Sequence, residues 1–174
     1  MEITQYKCVF GGLTIPIVSF NLQFYNPNNI SLSVVVSDMD YQAQIVALVT
    51  AYFQDSPQPE AELSVYQVKD SAEELITTVD LTELNYTEDL TQEGIKLLVI
   101  KGTRTETWTP TSMTLTGASS RKMAGGNLSF ACVPEPDMRP GDTATVNGET
   151  ITTDSISWSV QAGRESMTVT EKGV

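Results

Sequence analysis

The 174-residue chain has no histidine. It therefore lacks the side chain whose ordinary pKa lies nearest neutrality and the commonest ligand of catalytic zinc. Serine–histidine triads, cysteine–histidine dyads and histidine metal sites are excluded. Lysine and arginine are scarce, 10 against 22 acidic residues, for a formal net charge of −12. Phosphate binding needs basic side chains to displace condensed counterions, so specific nucleic-acid binding is not expected. Only two cysteines occur, Cys8 and Cys132, with no C-x-x-C pair. They read as reduced, buried small hydrophobes rather than a disulfide framework. No apolar run approaches the ~18 residues of a membrane span, and Met1-Glu2-Ile3-Thr4 lacks the basic-then-apolar pattern of a secretory signal. The expectation is a soluble protein folded in a cytoplasm, without membrane insertion. Sequons starting at Asn29, Asn85 and Asn127 then carry no functional weight.

Hydrophobic residues make up 40% of the chain, enough to support a core without disulfides. Charge is uneven. Residues 55–93 hold eleven acids against Lys69, and this segment supplies −10 of the −12. It reads either as a solvated face or as a surface with a directed electrostatic role.

Most of the remainder alternates apolar residues with Ser and Thr at period two, the signature of half-buried strands. In residues 155–160, Ile156, Trp158 and Val160 share one face and three serines the other. Residues 166–170 repeat the pattern with Met167 and Val169, after a short loop at 161–164. Asn147-Gly148 predicts a two-residue hairpin between strands at 143–146 and 149–153. Arg139-Pro140-Gly141-Asp142 predicts a type II turn. Residues 127–132 put Leu128, Phe130 and Cys132 on one face, and 107–116 offer Trp108, Met113 and Leu115. In the N-terminal half, 15–25 (Val18, Phe20, Leu22 and Phe24 inward) is expected to pair with 30–36 through the turn at 26–29. One helix follows, capped by Asp38 or Asp40, with Ile45, Leu48, Val49 and Tyr52 at helical spacing and Pro57 and Pro59 closing it. Residues 63–68, 75–79 and 95–100 are strand-like, and the polar stretch 101–105 is the best boundary. The fold class is mainly β: an N-terminal domain, 1–102, with one helix and the acidic segment, and an all-β C-terminal domain, 103–174.

Candidate chemistry is thin. Ser119-Ser120-Arg121-Lys122 has Ser-x-x-Lys spacing but lies between strands without partner motifs, so it reads as a hairpin loop. Asp38 with Asp40, Glu60 with Glu62 and Glu73 with Glu74 are the possible acid–base couples, in polar or loop-like context. Gly11-Gly12 and Gly125-Gly126 lack the following helix of a phosphate loop. Trp108 and Trp158 read as core rather than ligand platforms. No catalytic, cofactor-binding or metal-ligating residue is assigned, and no cofactor is expected.

Taken in order, several segments resemble the hub proteins of tailed-bacteriophage tails and baseplates. They are Gly11-Gly12-Leu13-Thr14-Ile15-Pro16-Ile17, the Ser/Val-rich strand 30–37, Leu63-Ser64-Val65-Tyr66-Gln67-Val68, Glu74-Leu75-Ile76 and Ile95-Lys96-Leu97-Leu98-Val99-Ile100-Lys101-Gly102. Further on come Met138-Arg139-Pro140-Gly141-Asp142-Thr143, the Asn-Gly hairpin, and 156–160 running on to Ser166-Met167-Thr168-Val169-Thr170-Glu171. The resemblance implies two small antiparallel β-barrel-like domains per chain and a homotrimeric or hexameric ring that joins the tail tube to the tip or spike. It also implies a location in the virion and contacts with other tail or baseplate proteins. The chain has no room for the extra domains of larger hubs, so a related tail-tube or tail-tip component also fits. Two other classes stand beside it: a β-sandwich receptor- or carbohydrate-binding module, and a small acid-dependent hydrolase.

Overall fold

Alternation of apolar and hydroxyl residues gives thirteen strands and one helix among the described residues of a computed structural model. The structure describes residues 5–25, 28–54, 61–88, 96–118, 120–124, 127–146, 148–161 and 164–171. The mainly-β class with one helix holds. The chain divides into two units, 1–20 with 32–104, and 21–31 with 105–174.

The first unit contains β1 (Gln5–Phe10), β2 (Leu13–Pro16), α1 (Met39–Gln54), β5 (Glu62–Lys69), β6 (Ala72–Glu88) and β7 (Lys96–Thr105). It shares the hairpin β3 (Ser19–Tyr25) and β4 (Asn29–Val36) with the second unit. Its strand order is β2-β1-β5-β6-β7-β4. Fully buried Leu32, Val34, Val36, Leu63, Val65 and Ile100 show that period two was the right reading for these strands. Asp38 caps the helix by accepting from the N–H groups of Asp40 (2.9 Å) and Tyr41 (3.2 Å). Buried Gln42 then fixes α1 in place, its amide donating to the carbonyls of Val36 and Lys96, each at 2.9 Å.

The second unit adds β8 (Ser112–Thr114), β9 (Ser120–Ala124), β10 (Asn127–Cys132), β11 (Thr143–Val146), β12 (Glu149–Gln161) and β13 (Arg164–Glu171). Its order is β3-β12-β13-β10-β9, with β11 antiparallel to β12 and parallel to β8. β12 pairs with β11 over residues 149–152 and with β13 from Thr153 on, the β13 register slipping between Thr153 and Ser155. Ile156, Trp158, Val160, Met167 and Val169 are buried as their alternation requires. Among the described residues these pairings leave an open, mixed strand order, not a closed barrel.

Four local expectations need correction. The run 15–25 is two strands, because Pro16 has no N–H to continue the ladder; Val18, expected inward, is 45% exposed. Trp108 is not on a strand: Pro110 interrupts the run, and only Ser112–Thr114 is extended. Residues 75–79 are part of one 17-residue strand, so much of the acidic segment is sheet rather than loop. Residues 101–105, polar in composition, are the last part of β7. Pro57, Pro59, Asn26, Pro27, Ile95, Asn147, Ala162 and Gly163 lie outside the described residues.

Gly102 explains how β7 continues through that polar stretch. A Cβ there would lie 2.4 Å from Val79 Cγ2 and 2.8 Å from the Asp80 carbonyl oxygen, beside the β6–β7 register slip between Leu81 and Glu83. Only hydrogen fits. Gly102→Ala is expected to destabilise by about 1–3 kcal/mol, read as a lower urea midpoint. Adding Val79→Ala should recover only part, because the backbone oxygen still blocks the methyl.

Candidate functional site

The most heavily tied residues of the second unit surround the turn 139–142. Pro140 and Gly141 take its corners, Gly141 at φ +92°, and the Asp142 N–H donates to the Arg139 carbonyl at 3.1 Å. This is the turn that Pro-Gly predicts. Asp142 is only 1% exposed. One carboxylate oxygen accepts from the Thr111 N–H (2.6 Å) and the Thr111 hydroxyl (3.2 Å), the other from the Arg139 N–H (2.6 Å). The turn is then stitched to β12: Gly141 N–H donates to Thr153 O (2.8 Å), Thr153 N–H to Asp142 O (2.9 Å), and the Thr153 hydroxyl to Arg139 O (2.9 Å).

Aromatic groups close over it. Trp108 Nε1 donates to the Pro140 carbonyl at 2.6 Å, and Phe24 meets Trp108 edge-on at 6.5 Å. The Arg139 guanidinium stands 4.5 Å from the Phe24 ring centroid and donates to the carbonyls of Pro136 (2.6 Å) and Met138 (2.9 Å). Burial pulls its pKa down from the ordinary value, opposed by the charges of Glu106, Asp137 and Asp142. The Asp142 carboxylate is engaged by backbone donors and a hydroxyl, so chemically it organises a loop rather than offering a base to a substrate.

Beside this knot lies a groove of about 460 Å³ lined by Gln23, Tyr25, Ser155, Ser157, Thr168 and Thr170, with Phe24 and Ile156. The cross-strand pairs Ser155↔Thr170 and Ser157↔Thr168 set its hydroxyls in rows. Tyr25 is 41% exposed. The lining offers neutral donors and acceptors and one aromatic ring, suited to a polar uncharged ligand.

The carboxylate couples do not assemble into a site. Asp38 serves the helix cap while Asp40 stands in its first turn. Glu62 pairs with Arg104 at 3.1 Å, and Glu73 with Lys7. Glu74 is exposed. Gly11-Gly12 make the turn between β1 and β2. Glu60, Ser119, Gly125 and Gly126 lie outside the described residues, and the backbone of Ser120–Ala124 is strand β9. Among the described residues no group of three or more Cys, Asp or Glu gathers as a metal site. Trp158 is 1% exposed, as read. Trp108 is half-buried, and its role as a lid on the turn was not legible because its partner lies 32 residues away.

No family model matches the sequence, and no curated protein matches it. Similar solved structures include two tail proteins. The tail protein from Neisseria meningitidis MC58 superposes with a TM-score of 0.56 at 6% identity, over 98% of this chain and 96% of that one. The 43 kDa tail protein of prophage MuSo2 from Shewanella oneidensis gives 0.54 at 6% identity, over 97% and 96%. At such identity the likeness shows a shared fold, that of phage tail proteins.

Asp142→Asn sets an amide NH2 against an N–H donor in a buried place. A loss of about 1–3 kcal/mol is expected in urea unfolding, whereas exposed Glu106→Gln changes stability by less than about 0.5 kcal/mol. The thiols give a second check. Burial pushes Cys8 up to about 12, and burial with the Glu135 charge pushes Cys132 up to about 11, from an ordinary 9.0. Both should resist a thiol-specific disulfide reagent at neutral pH until denaturant is added. Their contribution to stability is complete below the ordinary pKa, where both states hold the proton. It is lost as the pH climbs through 11 to 12, because the unfolded chain ionises first.

Proposed function

We propose that this chain is a non-enzymatic structural component of a phage tail or baseplate, a hub-like ring subunit between the tail tube and the tip or spike. The observation that carries the reading is a fold shared over nearly the whole chain with two tail proteins. The ordered run of tail-hub-like segments in the sequence supports it independently. In this reading 1–102 and 103–174 act as the two β domains of a subunit in a homotrimeric or hexameric ring that docks other tail proteins. The chain is made and folded in the host cytoplasm and works in the virion. The carboxylates that a hydrolase would need are spent on a helix cap, surface ion pairs and a buried turn, in keeping with a role in assembly.

A second reading has one observation in its favour. The uncharged hydroxyl groove with exposed Tyr25 is the kind of surface a carbohydrate-binding module presents. Light scattering on a sizing column, at tens of micromolar and after tenfold dilution, separates the two. A trimer or hexamer that survives dilution is expected of the ring subunit. A monomer at both concentrations that binds glycans through the groove, with binding lost in Tyr25→Ala, would replace the ring by the module.

A further inference from the structure

The groove over β3, β12 and β13 is built on strands that each have a neighbour on both sides: β4 and β12 for β3, β3 and β13 for β12, β12 and β10 for β13. Their main-chain N–H and C=O groups are taken up in the sheet, so a peptide finds no edge to join there. A ligand meets the outward half of the alternation instead. Ser155 stands opposite Thr170 and Ser157 opposite Thr168, with Gln23 and Tyr25 from β3, while Phe24, Ile156 and Val169 between them are buried. Among the described residues the hydroxyls of Ser155, Ser157, Thr168 and Thr170 are not spent on other protein groups, in contrast to that of Thr153, which donates to the Arg139 carbonyl.

The chemistry of this lining selects a class of ligand. No residue is charged along β3, from Ser155 to Gln161 or from Ser166 to Thr170, in a chain whose net charge is −12. The first charged residues met in sequence beyond the groove are acidic, Asp154 before Ser155 and Glu171 after Thr170. Nothing in the lining compensates an anion, and a phosphate, sulfate or carboxylate is disfavoured. Each hydroxyl is at once donor and acceptor, as the hydroxyls of a sugar are. Strands about 4.8 Å apart set these groups over roughly 10 Å across the sheet, a disaccharide's length, and about 460 Å³ holds two pyranose rings. Tyr25, 41% exposed, supplies the flat apolar face on which the C–H side of a sugar ring stacks.

We propose that this groove binds a neutral glycan over about a disaccharide length, one ring stacked on Tyr25 and its hydroxyls bonded to Ser157 and Thr168. This rests on the glycan reading of the groove and narrows its ligand to uncharged sugars; oligomeric state does not enter.

The test uses the full chain and calorimetric titration with neutral disaccharides (cellobiose, maltose, lactose and chitobiose) and with anionic sugars (sialyllactose and digalacturonate). At least one neutral sugar should bind, and the anionic ones on the order of tenfold more weakly or not at all. Thr168→Val and Ser157→Ala should each weaken neutral binding about three- to tenfold. Tyr25→Ala should abolish it and Tyr25→Phe retain it, which separates stacking from a general loss of structure; circular dichroism verifies that each variant folds. Anionic sugars that bind as tightly through the groove overturn the neutral class and leave the glycan reading standing. Neutral binding that survives all the groove variants overturns the site. A wild-type chain that binds none of these sugars at millimolar concentration removes both the proposal and the glycan reading.

Discussion

A carboxylate at 1% exposure holding three donors is the constraint around which the second unit is arranged. A buried carboxyl group is costly unless it is hydrogen-bonded, and here it accepts from the N–H groups of Arg139 and Thr111 and from the Thr111 hydroxyl. The geometry leaves little freedom: Thr111 must approach from the irregular segment after β7, and Arg139 from the loop after β10. The two hydrogen bonds between the 141–142 backbone and Thr153 then fix where β12 starts its bulge. Next to that point one strand changes partners, serving β11 through Thr152 and β13 from Thr153 on. Pro140 and Gly141 shape the turn, but Asp142 tells three distant segments where it lies.

The first unit solves a different problem, a surplus of negative charge on a strand. Lys7, Lys101 and Arg104 stand opposite Glu73, Glu83 and the Glu62–Asp80 pair. Such exposed pairs contribute little stability individually. Their effect is to lower repulsion along β6, and the Lys101 hydrogen bond holds the Glu83 carboxyl below its usual range. Lys101 and Arg104 sit on β7, next to β6, while Lys7 reaches Glu73 from β1, on the far side of β5.

How far the sequence could be read depended on the range of the interaction. Ile156, Trp158, Val160, Met167 and Val169 needed only strict alternation, and their burial follows directly. The Asp38 cap, the Pro-Gly turn and the cross-strand pairs Val146↔Glu149 and Gln161↔Arg164 are likewise set by neighbours a few residues apart. Misreadings arose where one residue overrode a pattern: Pro16 divided an alternating run, and Pro110 took Trp108 off its strand. What stayed invisible was long-range. Asp142 looks like any turn aspartate until Thr111 is brought to it, and Gly102 reads as a linker glycine until Val79 and Asp80 crowd it. The neutral groove was hidden for the same reason, since its hydroxyls come from three strands.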